Sequence, residues 1–242
     1  MKSSIAIVIS FYLPRSSDNL HQLLSSLNEF REQGSVVINS DEARENSKVG
    51  LLSGWRTLTV PNRGMNIGAW QQGFLARPDE DFYFFFQDEC FIKKTGYIEA
   101  CLERFNLNQK LGMLGESLNR KWDHSWAEMQ NSSLNWSDEN HQLNGKVLPR
   151  VDYYLITLKR MGIDPGASAL HLRSLCWAFR GSLLRAVGGF PIGLSKGECI
   201  AAEIGVSRKV LQLGYEFDQL RPTPFAYVGH REWKPDGSSK HK

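Results

Sequence analysis

The chain has 242 residues, with 29 Lys and Arg against 26 Asp and Glu and a formal net charge of +3. That length suits one large domain with a fully buried sheet, and a charge so evenly spread excludes a dedicated nucleic-acid binder while leaving room for a local basic cleft for phosphates. The cysteines Cys90, Cys101, Cys176 and Cys199 make no Cys-x-x-Cys pair and no zinc spacing, and no apolar run approaches a signal peptide or a membrane span, so free thiols and a cytoplasmic protein are expected.

The β-branched run "SIAIVISFY" predicts a first strand. "SSDNLHQLLSSLNEFREQG" follows with Leu20, Leu23, Leu24, Leu27 and Phe30 at helical spacing, capped by Ser17 or Asp18 and closed by Gly34. "SVVINSD" is a second strand, and this β-α-β opening favours a parallel sheet with a right-handed crossover. "WRTLTVPN" predicts a third strand, and "RGMNIGAWQQGFLA" a glycine-rich turn running into a helix.

"DFYFFFQDE" is the fourth strand, and an apolar run without alternation points to a central strand buried on both faces. It ends abruptly in Asp88 and Glu89, where a parallel sheet places its ligand groups. "YIEACLERFNLN" then reads as a helix and "LGMLGESL" as a strand. From Asn119 to Gly145, Trp122, Trp126 and Trp136 stand among polar residues without a period. Such a stretch is either a surface excursion or a ligand platform.

Helical pattern returns in "VLPRVDYYLITLKRMG". "SLCWAFRGSLLRAVGGFP" predicts a strand and a short helix stopping at Gly188-Gly189, and "ECIAAEIGVSRKVLQLGYEF" a long helix ending at Gly214. The tail "KPDGSSKHK" is polar and expected to be loose.

The order of these features resembles the GT-A glycosyltransferases of the family 2 type. The resemblance is carried by "IAIVISFY", "NSD", "PNRGMNIGAWQQGF", the apolar strand ending in acids, "FRGSLLRAVGGFP" and "AAEIGVSRKVLQLGY". "RGMNIGAW" is also similar to proteins of rhamnan-type polysaccharide synthesis. The resemblance implies one α/β Rossmann-like domain over residues 1–242 with a mostly parallel sheet. Residues 1–118 would be its nucleotide-sugar half and residues 119–242 its acceptor and catalytic half.

It further implies an inverting transfer of a sugar from a nucleotide-sugar donor to a saccharide or glycolipid acceptor, with Mn²⁺ or Mg²⁺ on the diphosphate. No nucleic acid is expected as a partner. The chain has no evident span, so any membrane association would be peripheral. "QDE" stands where the family carries its DxD motif, which puts Gln87 at the first acidic position and Glu89 at the second. The implied metal ligands are Asp88, Glu89 and a late histidine, His230.

Ser10, Phe11, Tyr12, Asp41, Asn62, Arg63, Gly64, Asn66, Gln87 and Asp88 would line the nucleotide pocket, with Arg180 and Arg231 facing the diphosphate. Glu203 falls on the family's catalytic acid, with Glu198 as its competitor for the role of general base. Trp122, Trp126 and Trp136 would contact the acceptor. Two further readings are a catalytically silent carbohydrate-binding or scaffold domain, and a nucleotidyltransferase. The latter is expected to carry glycines after its first strand, where "SFYLPRSSDN" has none.

Overall fold

The computed structural model describes residues 3–42, 48–136 and 140–234. The chain opens with β1 (Ile5–Tyr12), α1 (Asp18–Ser26), β2 (Gly34–Ser40), β3 (Lys48–Leu52), β4 (Trp55–Pro61), α2 (Met65–Ala76) and β5 (Phe82–Gln87). A short β6 (Cys90–Ile92), α3 (Tyr97–Leu107) and β7 (Leu111–Gly115) follow. An excursion then carries α4 (Trp126–Asn131), β8 (His141–Leu143), β9 (Lys146–Leu148) and α5 (Arg150–Arg160). The chain returns through β10 (Cys176–Arg180), α6 (Gly181–Ala186), α7 (Lys196–Gln212), β11 (Glu216–Gln219) and β12 (Val228–His230).

Eight strands form the main sheet in the order β11-β7-β10-β5-β1-β2-β4-β3. The pairs β1/β2, β1/β5, β2/β4 and β7/β11 are parallel, whereas β10 runs antiparallel between β5 and β7. The expected α/β domain with a mostly parallel sheet is thus what the sequence forms.

The aromatic run of β5 is explained by its place in the middle of the sheet. Phe82, Phe84 and Phe86 point into one core with Leu20, Leu23 and Leu24 of α1 and Phe105 of α3. Tyr83 and Phe85 point into the other, with Trp70 and Phe74 of α2 and Val206 and Val210 of α7. A strand covered on both faces has no side on which a polar residue can be solvated, so alternation disappears.

Local details differ from the sequence reading. The predicted first helix ends at Ser26 and continues as a 3-10 helix over Asn28–Gln33, and Ser17 takes the cap position without a side-chain bond. Gly34 opens β2 in extended conformation instead of closing the helix. It is required by space, since a Cβ there would lie 2.0 Å from the Trp55 ring. The ends predicted at Gly188-Gly189 and Gly214 are found, with φ of 74°, 80° and 77°. Of the predicted loose tail, only Lys234 falls within the described residues.

A third, smaller core lies within the excursion. Trp122, Trp126, Met129, Val151, Tyr154 and Leu158 pack against Ala201 and Ile204 of α7. Among the described residues no helix is long and apolar enough to cross a membrane. The four cysteines are free thiols, three of them buried.

Candidate active site

A cleft of about 510 Å³ opens where β1, β2, β4 and β5 end. Ser10, Phe11 and Tyr12 come from β1, Asn39 from β2, Asn62, Met65 and Asn66 from the β4–α2 turn, and Gln87, Asp88 and Glu89 from the end of β5. Arg15, Lys196 and Glu232 complete the wall. A second cavity of about 670 Å³ lies at the opposite edge beside Ile5 and Phe82, where β1 and β5 begin. Position decides between them, because parallel sheets bind ligands beyond the carboxyl ends of their strands.

The turn into α2 is built by Gly64, which caps the helix with φ 79° and no side-chain bond. The turn tightens again at Gly68, where a Cβ would lie 1.6 Å from the Arg63 carbonyl oxygen. Asn66 is thereby turned toward the sheet and donates Nδ2–H to the Ser174 carbonyl at 2.7 Å. Asn39 donates to the Met65 carbonyl at 2.9 Å. Its Oδ1 is buried with no partner among the described residues, an acceptor in the cleft wall whose desolvation a ligand donor would offset.

Asp41 does not line the cleft but braces two residues that do. Its carboxylate accepts from the Tyr12 hydroxyl and from Asn62 Nδ2 at 2.9 Å. The Tyr12 hydrogen bond, then that of Asn62, holds Asp41 below the ordinary carboxylate range, and the same bond raises the Tyr12 phenol.

At the end of β5 stand Asp88 and Glu89. Burial, reinforced by the neighbouring Glu89 charge, pushes Asp88 up to about 6. Glu89 is raised by burial as well, against the opposing pull of Arg15. Arg15 Nη1 lies 2.6 Å from Glu89 Oε2. Burial disfavours the Arg15 charge, but the Glu89 hydrogen bond and the charges of Glu89, Asp88 and Glu232 outweigh it and strengthen the guanidinium's hold on its proton.

The expected metal triad of Asp88, Glu89 and His230 is not formed: among the described residues no three His, Cys, Asp or Glu side chains come together to hold an ion. The ring nitrogens of His230 are taken. The Glu232 backbone N–H donates to Nδ1 at 3.2 Å, so the proton sits on Nε2, which donates to Gln87 Oε1 at 3.0 Å. Gln87 in turn donates Nε2–H to the Ser174 carbonyl at 2.6 Å. Gln87 is therefore a neutral strut between two loops.

Other expected residues fall elsewhere. Arg180 lies at the far edge of the sheet, opposite Phe82 at the start of β5, because β10 runs antiparallel. Its guanidinium donates to the Leu111, Phe105 and Asn108 carbonyls and cannot face the cleft. Arg231 packs over the Phe91 ring and bonds Gln22 on α1. Arg63 and Gly64 shape the turn without lining the cleft.

Trp122 and Trp126 are 6% and 7% exposed and belong to the third core, with Trp126 Nε1 donating to the Pro165 carbonyl at 3.0 Å. They are no platform, because that stretch carries a core of its own. Trp136, 69% exposed, remains open to solvent. Trp122→Ala and Trp126→Ala are each expected to cost about 3–5 kcal/mol, and Trp136→Ala almost nothing. Thermal melting of the three variants checks this, and a Trp136→Ala protein as unstable as the other two would contradict it.

Glu203 sits mid-way along α7, 19% exposed at its side chain. Its Oε2 accepts from Ser174 Oγ at 2.6 Å, and Oε1 lies 3.3 Å from His171 Nε2. Ser174 thus joins Glu203 to Asn66 and Gln87 in the cleft wall, since their amides share its carbonyl. Glu198 instead forms a capping box with Ser195 at the start of α7. Arg15, Asn39, Met65, Lys196 and Glu232 also line the cleft; Asn39 and Met65 fall within the motifs "NSD" and "PNRGMNIGAWQQGF", but none of the five was named as a site residue from the sequence.

No family model and no curated relative matches the sequence. Among solved structures, a mannosyltransferase from Pyrobaculum calidifontis in complex with GDP-Man and Mn²⁺ is similar over 90% of this chain, at 12% identity and a TM-score of 0.52. The match spans 55% of that protein's own chain. The CTP complex of CMP:2-keto-3-deoxy-manno-octonic acid synthetase matches 90% of this chain and 89% of its own, at 14% identity and a TM-score of 0.44. The bifunctional glycosyltransferase WbbM matches 86% of this chain and 38% of its own, at 12% and 0.40. At such identities the likeness concerns architecture, and what the mannosyltransferase match shows of it is that this chain has a GT-A-like glycosyltransferase fold.

Proposed function

We propose that the protein is a glycosyltransferase that moves a sugar from a nucleotide-sugar to a saccharide or glycolipid acceptor by a single inverting displacement. The observation that carries this reading is the convergence of residues from four strand ends on one cleft at the ligand edge of a GT-A-like sheet. Tyr12 offers flat surface for a base, while the Phe11 ring is packed in the core beside α1. Asn62, braced by Asp41, and the unpartnered Oδ1 of Asn39 offer acceptors and donors for the nucleoside. Residues 1–118 supply most of this wall and residues 119–242 contribute Lys196 and Glu232, with the Ser174–Glu203 pair joined to it from behind through Asn66 and Gln87.

In this reading Glu203 is the general base that takes the acceptor hydroxyl proton as the oxygen attacks the anomeric carbon. The Ser174 hydroxyl orients its carboxylate. Exposed Trp136 is the remaining aromatic candidate for acceptor contact.

The mannosyltransferase of similar fold was solved with Mn²⁺, but the donor set of this cleft does not form a metal triad. No step is assigned to an ion here. The test is a panel of nucleotide-sugars incubated with the protein and with oligosaccharide or glycolipid acceptors, following release of nucleoside diphosphate. Acceptor-stimulated release with at least one donor is the expected result. Binding of nucleotide-sugars without release under any condition would reduce the protein to a binding module.

A further inference from the structure

We propose that Arg15 stands in for a divalent cation in this cleft, bridging the strand-end carboxylates to the diphosphate of the donor, so that donor binding needs no metal ion. The inference rests on the reading of the cleft as a nucleotide-sugar site and goes further by naming what balances the diphosphate charge.

Three features of the donor set exclude the usual arrangement. Gln87 replaces an acid by a neutral amide whose two ends bind the Ser174 carbonyl and His230. Both nitrogens of the buried His230 ring are occupied, one by the Glu232 backbone and one by Gln87. The carboxyls that remain, Asp88, Glu89 and Glu232, share the cleft lining with Arg15, whose guanidinium lies 2.6 Å from Glu89, whereas His230 Nε2 is 3.8 Å from the same carboxylate. A divalent ion entering this cluster would have to displace Arg15 from Glu89, to which it is joined at 2.6 Å, or sit beside it against like charge.

Arg15 is also built to serve as a bridge. Its backbone N–H donates to the Tyr12 carbonyl at 2.9 Å, a tight turn that fixes it directly beyond β1. A guanidinium has five N–H donors in a planar fork, so engagement with one carboxylate leaves further donors for phosphate oxygens. The side chain is 47% exposed, which keeps that remainder accessible. Lys196 at the start of α7 adds a second positive charge to the same wall, and the first turn of α2 at Met65 and Asn66 enters it without a side-chain cap. As the nucleoside diphosphate departs it gains negative charge, and fixed cations at that position stabilise it without reorganisation.

The experiment is calorimetric titration of the full chain with UDP, GDP and CDP, once in EDTA and once with excess Mn²⁺. At least one of these should bind equally well in both buffers. Arg15→Ala and Arg15→Gln should weaken that binding by about 10- to 100-fold in both, the loss expected for a charge-assisted hydrogen bond. Arg15→Lys should recover part of it. Parental melting temperatures identify the folded variants, and the glutamine variant serves where the alanine variant unfolds. Binding that appears only with Mn²⁺, or an Arg15→Gln protein that binds as tightly as the parent in EDTA, overturns the inference while leaving the nucleotide site standing. Absence of binding to all three in both buffers overturns the nucleotide reading itself, and this inference with it.

Discussion

Glu203→Gln is expected to lower acceptor-dependent transfer by about a hundred- to ten-thousand-fold while donor affinity stays near the parental value. The glutamine keeps the length of the side chain and an oxygen to accept from Ser174 Oγ, which lies 2.6 Å from the carboxylate. Only the capacity to take a proton is removed. Because Ser174 also anchors Asn66 and Gln87 through its carbonyl, a larger change such as Glu203→Ala would confuse loss of the base with a disturbed cleft wall. Glu198→Gln is the internal control. Glu198 accepts from the Leu194 and Ser195 backbone N–H groups and closes the capping box of α7. Its replacement should lower the melting temperature by an amount corresponding to about 1 kcal/mol and leave turnover nearly intact. Near-parental transfer by Glu203→Gln would move the base elsewhere, and retention of anomeric configuration, read by NMR of the product, would remove the single displacement.

The protein is also expected to lose stability as the pH rises from about 5 to about 8, with Glu116 as the main cause. Glu116 follows β7 and is 3% exposed. Burial pushes it up to about 7 from an ordinary 4.5, although backbone N–H groups of Tyr227, Val228 and Ala226 pull the other way. Its Oε1 has no partner among the described residues. Between those two values the folded chain holds a proton that the unfolded chain has released. The stabilisation is therefore complete below the unfolded value and disappears as the pH climbs through the folded one. At 1.4 kcal/mol per pH unit the upper bound is on the order of 3 kcal/mol. Asp88, raised to about 6, contributes with the same sign. Glu116→Gln should flatten the profile over this window, because the amide still offers an oxygen to the Tyr227 N–H. A parental protein that melts no lower at the upper end of the window, or a Glu116→Gln protein with an unchanged slope, contradicts the assignment.

What the sequence made legible depended on the range of the interactions involved. Periodicity reports which faces a segment buries, so β1, β2, β4, β5 and the helices α2, α3 and α7 were all readable. The run at Phe82–Phe86 even disclosed its central position, since only cover on both faces permits it. The short strands β3, β6, β8, β9, β11 and β12 were not read, because three to five residues carry too little pattern. In the cleft, residues at strand ends were found by position: Ser10, Tyr12, Asn62, Asn66, Gln87 and Asp88 do line it. Arg15 and Glu232 arrive from loops whose course no local pattern dictates. Arg180 was misplaced because the direction of β10 is settled by its neighbours in the sheet. Trp122 and Trp126 looked like ligand surface because their apolar partners, Tyr154, Leu158 and Ile204, lie up to about eighty residues away and form a core only once α5 and α7 meet.

The antiparallel course of β10 has a bearing on how readily the domain can vary outside its main sheet. Gly115 at the end of β7 pairs across the sheet with Trp177 of β10, so the chain leaves and re-enters the scaffold at adjacent points. The described residues between them form a cassette seated on Ala201 and Ile204 of α7 by an apolar interior of their own. The cost of closing such a segment grows only with the logarithm of its length. Its length can therefore vary at small cost in loop closure. Ser174 lies at the exit of this cassette and touches both Glu203 and the cleft wall, while Leu118 and Leu172 tie its two ends to Gln219 and Ser207.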